Sequence, residues 1–315
     1  MIDSLIKKNI PSTEDSFKYY YNTDKNNYGV NSITSEIIAI FKGTEMVSEV
    51  EDSNQCILVT DKTNFYSNAG GQISDIGVIS NQDLTFKVEN VSSYHGYVFH
   101  HGLLTKGKLT CNSIVNMDVE KEHRLSCSQN HTATHIMNSV LRKLLPYAAQ
   151  RSSHVCPSYL KFSFSAKAQL TDEELEKIET LVNQTIQKKL CVLRKEFSFE
   201  ELLIQPNAVL LRGEEYPEVV SVIFIGELDC NEAVSIEPCC GTHVHNTADI
   251  ESFVLIPSKS QDATLENSNV SLDVHLDLLK QIKATLKECH IKTDAPLRDL
   301  KEFETLFERY EDEIK

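Results

Sequence analysis

The chain has 315 residues, which is enough for two or three compact units with a substantial hydrophobic core. Its 31 Lys and Arg against 46 Asp and Glu give a net charge of −15, which argues against a generally basic nucleic-acid-binding surface but not against a local one. Nine irregularly placed cysteines without a secretory signal favour free thiols and a metal over disulfides. No apolar run approaches the roughly 20 residues of a membrane-spanning helix, so we expect a soluble protein with no membrane partner.

The first 34 residues are polar and rich in Asn, Asp and Tyr, which is typical of a connector. Residues 35–115 contain short apolar or alternating runs separated by turn residues, and this pattern predicts a small antiparallel β-barrel. Within this unit, residues 61–77 form a loop in which Gly70 and Gly71 permit backbone conformations and close approaches that other residues do not. An ordinary hairpin loop explains the two glycines about as well as a ligand-binding loop.

His131 and His135 lie in a stretch whose apolar positions follow helical spacing. Residues four apart share one face of a helix, so both imidazoles are presented in one direction. More than a hundred residues later, Cys239 and His243 have the same separation, after Pro238 and around Gly241, which predicts a tight turn or the start of a short helix. Three imidazoles and a thiolate suit a tetrahedral Zn²⁺ site.

Each half of this predicted site has a simpler explanation. A His-x-x-x-His pair is common without a metal, and cysteine is often only a small buried apolar residue. Four protein ligands normally mark a structural zinc, whereas a catalytic zinc keeps one position open, and spacing alone does not decide between them.

The remaining pattern predicts an α+β domain over residues 116–262. Residues 153–166 alternate like a strand, and a helix begins after Thr171, which forms a capping box with Glu174. Residues 263–315 are predicted to be a helical tail that is interrupted at Pro296. The overall expectation is an α+β fold in which a small antiparallel barrel is followed by a zinc-binding domain and a helical C-terminal tail.

Basic residues gather between the two halves of the predicted metal site, and Arg124 is one of them. An ordinary solvated face explains such a cluster, and a local RNA-binding surface is the alternative.

Three separated blocks carry a family resemblance. They are residues 61–77 with Thr63 and Gly70-Gly71-Gln72, the His131/His135 pair followed by the segment that begins at Gln150, and the segment from Ser235 through Cys239-Cys-Gly-Thr-His243. In this order they resemble the editing domain of alanyl-tRNA synthetases, the second additional domain shared with threonyl-tRNA synthetases, and its free-standing AlaX-type relatives. Cys240 in the last block is similar to the form found in animal mitochondrial members.

The resemblance implies Zn²⁺-dependent hydrolysis of the ester that joins serine or glycine to the 3′ acceptor end of tRNA(Ala). A pocket built for alanine rejects neither glycine nor serine strongly, so a second hydrolytic site is needed to remove these errors. In this reading the four ligands bind zinc, and Thr63 recognises the serine hydroxyl. The other residues assigned by resemblance are the pocket residues Gln72 and Gln150 and the substrate-binding residues Gly70, Gly71 and Arg124.

The resemblance also leaves alternatives open. No amino-acid-activating domain is recognisable, so the chain is expected to act in trans or as a fragment of a synthetase, with alanyl-tRNA synthetase as a possible partner. The Gly-x-Arg-Arg-Ile segment of the family is absent after Phe253. This absence favours, as the alternative, a catalytically degenerate zinc-containing module that binds tRNA or a synthetase. A mitochondrial location is expected by resemblance despite the lack of a clear transit peptide, with the cytoplasm as the alternative.

Overall fold

The computed structural model of the protein describes residues 1–19, 31–51, 55–145, 148–166, 170–211, 213–226, 233–257 and 268–274. No helix within these ranges is both long and apolar enough to cross a membrane. Of the predicted helical tail, only Ser268–Val274 is described, and it forms a strand. The rest of that prediction lies outside the described residues.

The first half of the chain contains a closed antiparallel barrel of six strands, as the alternating sequence predicts. Around the barrel the order is β1-β4-β7-β6-β5-β9, and β9 pairs back onto β1 to close it. The bounds are β1 Ile33–Lys42, β4 Gln55–Thr60, β5 Gly77–Ser80, β6 Thr85–Tyr94, β7 Tyr97–Lys106 and β9 Ile114–Val119. The short strand β2 Glu45–Val47 extends β1, while β3 Glu49–Glu51 pairs with β8 Lys108–Thr110.

The barrel is filled by fully buried side chains that include Leu58, Phe86 and Met117. The N-terminal segment packs on the outside, where Leu5 of helix α1, Ile2–Lys7, contacts a small cluster with Phe41. Strand β9 extends past residue 115, where the sequence predicts the end of the barrel, and its pairing with β1 closes the barrel.

The second half packs helices against two small antiparallel sheets. Helix α2, Lys121–Leu144, follows the barrel directly, and helix α3, Asp172–Gln187, begins with the predicted capping box. One sheet has the order β10-β11-β16-β15 and the other β12-β13-β14. The bounds are β10 Ala149–Val155, β11 Leu160–Ala166, β12 Cys191–Ser198, β13 Val219–Gly226, β14 Ser235–Pro238, β15 Leu255–Pro257 and β16 Ser268–Val274, with helix α4 Phe199–Leu203 after β12.

The single strand predicted over residues 153–166 is instead most of a hairpin. Strands β10 and β11 pair antiparallel, and the chain reverses around Pro157 and Ser158. The alternation continues on both sides of the turn, and proline is a poor residue for the interior of a strand.

Candidate metal centre

Helix α2 runs through the middle of the second half and bears two of the four predicted ligands, His131 and His135. Fifteen consecutive residues, 127–141, are buried, so this part of the helix is covered on all sides. The rings of His131 and His135 stack with their centroids 5.4 Å apart, as expected for residues one turn apart on one face.

The other two predicted ligands lie in an irregular segment, residues 239–246, which we call the ligand loop. It leaves the end of β14, and the 3-10 helix Thr247–Ile250 begins only after it. One ligating atom from each of the four predicted side chains, His131, His135, Cys239 and His243, lies within 4.8 Å of the others. Sγ of Cys239 is 3.4 Å from Nε2 of His131 and 3.4 Å from Nε2 of His243.

For two of the histidines, a hydrogen-bond partner on the side away from the cluster determines that Nδ1 carries a proton. Nδ1 of His131 donates to Oε1 of Gln72 at 2.8 Å, because an amide oxygen only accepts. The hydroxyl of Thr132 donates to the carbonyl of Ser128 and therefore accepts from Nδ1 of His243 at 3.1 Å. In its neutral form each of these imidazoles therefore directs an unprotonated Nε2 at the cluster, which is the form that ligates a metal.

The electrostatics of the cluster also favour a metal. Burial raises the pKa of the Cys239 thiol, but the neighbouring His131 and His243 outweigh it and hold that pKa well below its usual range. Burial, together with His131, lowers the pKa of His243 to about 3, so this imidazole is neutral. Burial also disfavours the charged form of His135, yet Glu237 and Cys239 prevail and raise its pKa to about 10. The Cys239 thiolate and the neutral His243 are donors that Zn²⁺ prefers, and a bound ion would displace the extra proton of His135, so these residues fit the ion.

The glycine-rich loop reaches the cluster from the barrel side. Gly71 has a φ of +83°, and a Cβ at this position would lie 2.5 Å from the carbonyl oxygen of Ser153 on β10. The backbone NH of Val155 donates to the carbonyl of Gly71 at 2.7 Å, which docks the loop on β10. Gly70, with a φ of +56°, lies beside Cys240, since a Cβ there would be 4.0 Å from its Sγ.

Gln72 links this loop to helix α2 and to the ligand loop, the two elements that bear the predicted ligands. Besides binding His131, its Oε1 accepts from the backbone NH of Thr242 at 3.0 Å, and its Nε2 donates to the Thr242 hydroxyl at 2.8 Å. The predicted pocket residue therefore supports a ligand rather than facing open solvent, and it is fully buried.

Thr63 and Gln150 lie further from the cluster in the hydrogen-bond network. Thr63 is fully buried, and its hydroxyl lies 2.8 Å from Nε2 of His100. Nδ1 of His100 faces the carbonyl of Leu58 at 3.2 Å, so Nε2 accepts and the threonine hydroxyl donates. Gln150 is half-buried at the start of β10, next to a bulge. Within the described ranges, no hydrogen bond joins either residue to the four ligands.

Arg124 is buried, with 1% of its side chain exposed. It forms an ion pair with Asp75, with Nε 2.8 Å from Oδ1, and its guanidinium also donates to the carbonyls of Asn64 and Lys18. The predicted substrate-binding arginine thus connects helix α2 to the glycine-rich loop and to the N-terminal segment.

A cavity of about 190 Å³ opens beside the ligand loop and is lined in part by Tyr19, Arg194, Gly241 and His243. The hydroxyl of Tyr19 donates to the carbonyl of Cys240 at 2.7 Å, and the guanidinium of Arg194 lies 4.0 Å from the centre of the Tyr19 ring. The N-terminal segment therefore forms one wall of a space that adjoins a metal ligand.

Sequence reasoning gave no role to several residues of the site. They are His100, Thr132, Asn138, Glu237 and Thr242. Thr132 and Thr242 are sequence neighbours of ligands, which is a weak signal that a partner is nearby. Nothing in the sequence pairs His100 with Thr63.

Three histidines and one cysteine cluster in the second half, and Gln72 of the barrel unit binds one of them. This arrangement resembles the site expected of an editing domain. Residues 4–123 match the class II (A) tRNA synthetases, and residues 220–269 match the threonyl and alanyl tRNA synthetase second additional domain. The chain belongs to the alanyl-tRNA synthetase family.

Individual relatives agree with this assignment. The chain is 36% identical over 260 residues to mitochondrial alanine–tRNA ligase of Saccharomyces cerevisiae. The matched region covers 78% of this chain and 26% of the yeast protein. It is 33% identical over 273 residues to cytoplasmic alanine–tRNA ligase of Bombyx mori, covering 81% of this chain and 28% of that protein. Alanine–tRNA ligase of Prochlorococcus marinus (strain AS9601) is 33% identical over 253 residues, with 80% and 28% covered. The chain spans about a quarter of the length of these relatives.

Proposed function

We propose that the protein hydrolyses the ester bond of serine or glycine mischarged on tRNA(Ala), with Zn²⁺ held by His131, His135, Cys239 and His243. The observation that carries the proposal is the convergence of these four ligating atoms to within 4.8 Å in a chain of the alanyl-tRNA synthetase family. The 3′ acceptor end of the tRNA is the proposed substrate and partner.

The protein residues position the substrate. The cavity beside His243 receives the acceptor end. The backbone amides of Gly70 and Gly71 are the candidates for binding the developing oxyanion, because Gly70 lies beside Cys240 of the ligand loop. Bound Zn²⁺ would supply charge that orients the ester and its attacking water.

The structure limits how Thr63 and Arg124 could play their predicted roles. Thr63 is fully buried, so its recognition of serine requires the hydroxyl of the substrate to enter the barrel end beside His100. The buried ion pair of Arg124 favours a role in holding helix α2 on the glycine-rich loop over direct contact with the substrate.

A deacylation assay tests the proposal. The full chain is incubated with tRNA(Ala) carrying radiolabelled serine or glycine, and release of the amino acid is measured. The wild-type protein is expected to release it, and His135→Ala and Cys239→Ala are expected to abolish release. Cys191→Ala is the matched control, because Cys191 is exposed and is not one of the four clustered ligands. No release of either amino acid by zinc-loaded protein would refute the proposal.

The alternative is a zinc-containing module that binds tRNA or a synthetase without catalysis, and the fully buried Thr63 hydroxyl, already bonded to His100, favours it. Salt-sensitive binding of tRNA without any turnover would support this alternative.

We also propose a mitochondrial location, which the yeast mitochondrial relative supports and the cytoplasmic relative of Bombyx mori does not. Fractionation of cells that express the tagged full chain would decide between the two compartments.

A further inference from the structure

Glu237 is a buried carboxylate that the proposed reaction does not use. It lies on β14 immediately before the ligand loop, and 7% of its surface is exposed. Alternate residues of a strand point to the same face, so Ser235 and Glu237 lie on one side of β14 and Ile236 on the other.

The contacts of Glu237 define it as an acceptor at both oxygens. Oε1 accepts from the hydroxyl of Ser235 at 2.8 Å, and Oε2 accepts from the side-chain amide of Asn138 at 3.1 Å. Asn138 lies three residues after His135, which places both on the same face of helix α2. A side chain that only accepts is in its carboxylate form.

The same Oε2 lies 3.2 Å from Nδ1 of His135. This nitrogen is buried and makes no hydrogen bond within the described part of the chain. The two atoms are at hydrogen-bond distance, and Glu237 is the acidic partner that this nitrogen faces. The other two histidines of the cluster have neutral partners, Gln72 and Thr132.

The charge of a bound metal ion is a second argument for a role of Glu237. A divalent ion bound by one thiolate and three neutral imidazoles leaves one positive charge in a buried site. An unpaired buried charge is costly, and the carboxylate of Glu237 cancels it.

We propose that Glu237 is a positioning residue for the metal: it accepts a hydrogen bond from Nδ1 of His135, so that Nε2 faces the ion, and it neutralises the remaining charge of the site. This inference rests on the metal of the proposed function but not on the hydrolysis of any tRNA.

Zinc affinity measured by competition with a chromophoric chelator tests the inference in the full chain. Glu237→Gln is expected to weaken zinc binding by roughly 10- to 100-fold, as is usual when a partner of a metal-ligating histidine is lost. Ser235→Ala is the matched control, because it removes a neutral hydrogen bond from the far oxygen of the same carboxylate. Its effect should be much smaller. Unchanged affinity in E237Q, or equal weakening in both variants, would overturn the inference.

Two spectroscopic measurements separate positioning from a general loss of structure. In Co²⁺-substituted protein, E237Q is expected to retain the thiolate-to-metal charge-transfer band of Cys239 while its ligand-field bands shift, because only His135 is disturbed. If E237Q does not fold, nitrogen-15 spectra of zinc-loaded wild-type protein still decide the matter. They should show His135 protonated at Nδ1, and a His135 bound to the metal through Nδ1 would contradict the proposal.

Neither measurement involves tRNA. Zinc binding that depends on Glu237 in a protein without deacylase activity would therefore refute the proposed function and leave this inference intact.

Discussion

At the scale of single residues, the convergence of His131, His135, Cys239 and His243 depends on the absence of a side chain at Gly241. A Cβ at this position would lie 2.1 Å from Cε1 and 2.2 Å from Nδ1 of His131. The ring cannot withdraw freely, because its Nδ1 is held by Gln72 and its Nε2 faces Cys239. Gly241 therefore sets how closely the ligand loop approaches helix α2.

We expect Gly241→Ala to weaken zinc binding. Overpacking costs about 1–3 kcal/mol, which corresponds to about a 5- to 150-fold loss of affinity. Gly43→Ala is the control, because Gly43 has a φ of +60° but nothing within 4 Å of the added methyl group. It should strain the backbone without changing zinc affinity, which chelator competition measures for both variants. Equal affinities of G241A and wild-type protein would show that the loop can shift without cost.

At the scale of secondary-structure elements, the buried ion pair of Arg124 with Asp75 fixes the start of helix α2 against the glycine-rich loop. Asp75 also accepts from the backbone NH of Tyr66, so the carboxylate orders the loop as well as the helix. Both residues are almost completely buried, so loss of one would leave the other without its counter-charge.

Arg124→Met is therefore expected to lower the free energy of unfolding by about 3–5 kcal/mol, because it leaves Asp75 buried and unpaired. Urea unfolding at constant zinc concentration measures the loss. Lys108→Gln is the control, since it removes an exposed lysine that forms ion pairs with Glu49 and Glu51 between β8 and β3, and it should change stability little. A stable R124M protein that had lost only its affinity for tRNA would instead identify Arg124 as a substrate contact.

The sequence predicts elements well where the signal is local. Hydrophobic spacing and the Thr171–Glu174 capping box predict α2 and α3, and the structure confirms both helices. The hairpin of β10 and β11 is missed because alternation continues on both sides of its turn. Spacing also identifies the four clustered side chains. It cannot identify Glu237, because its contact with His135 depends on which face of β14 packs against α2, a long-range property.

At the scale of the whole molecule, the barrel and the second half have separate hydrophobic cores. One cluster fills the barrel, and another packs α2 and α3 against the sheets of the second half. The four proposed ligands all belong to the second half, on α2 and the ligand loop. Metal binding should therefore stabilise the second half more than the barrel.

Removal of zinc tests this expectation. A ligand at about a thousand times its Kd stabilises the folded state by about 4 kcal/mol, and a chelator removes this contribution. Hydrogen exchange should then accelerate in residues 121–144 and 235–250, while the barrel strands β4 and β7 serve as the internal reference and remain protected. Uniform acceleration across both halves would show instead that the two cores unfold as one unit.

The position of Gln72 has a consequence for the order of assembly. It belongs to the barrel, yet it holds His131, 59 residues later, and Thr242, 170 residues later. Contacts between such distant parts of a chain form slowly, since a long loop must close first. A second half that folds before it docks on the barrel would hold zinc through a His131 that lacks this support. We therefore expect tight zinc binding to follow docking of the two halves rather than to start folding.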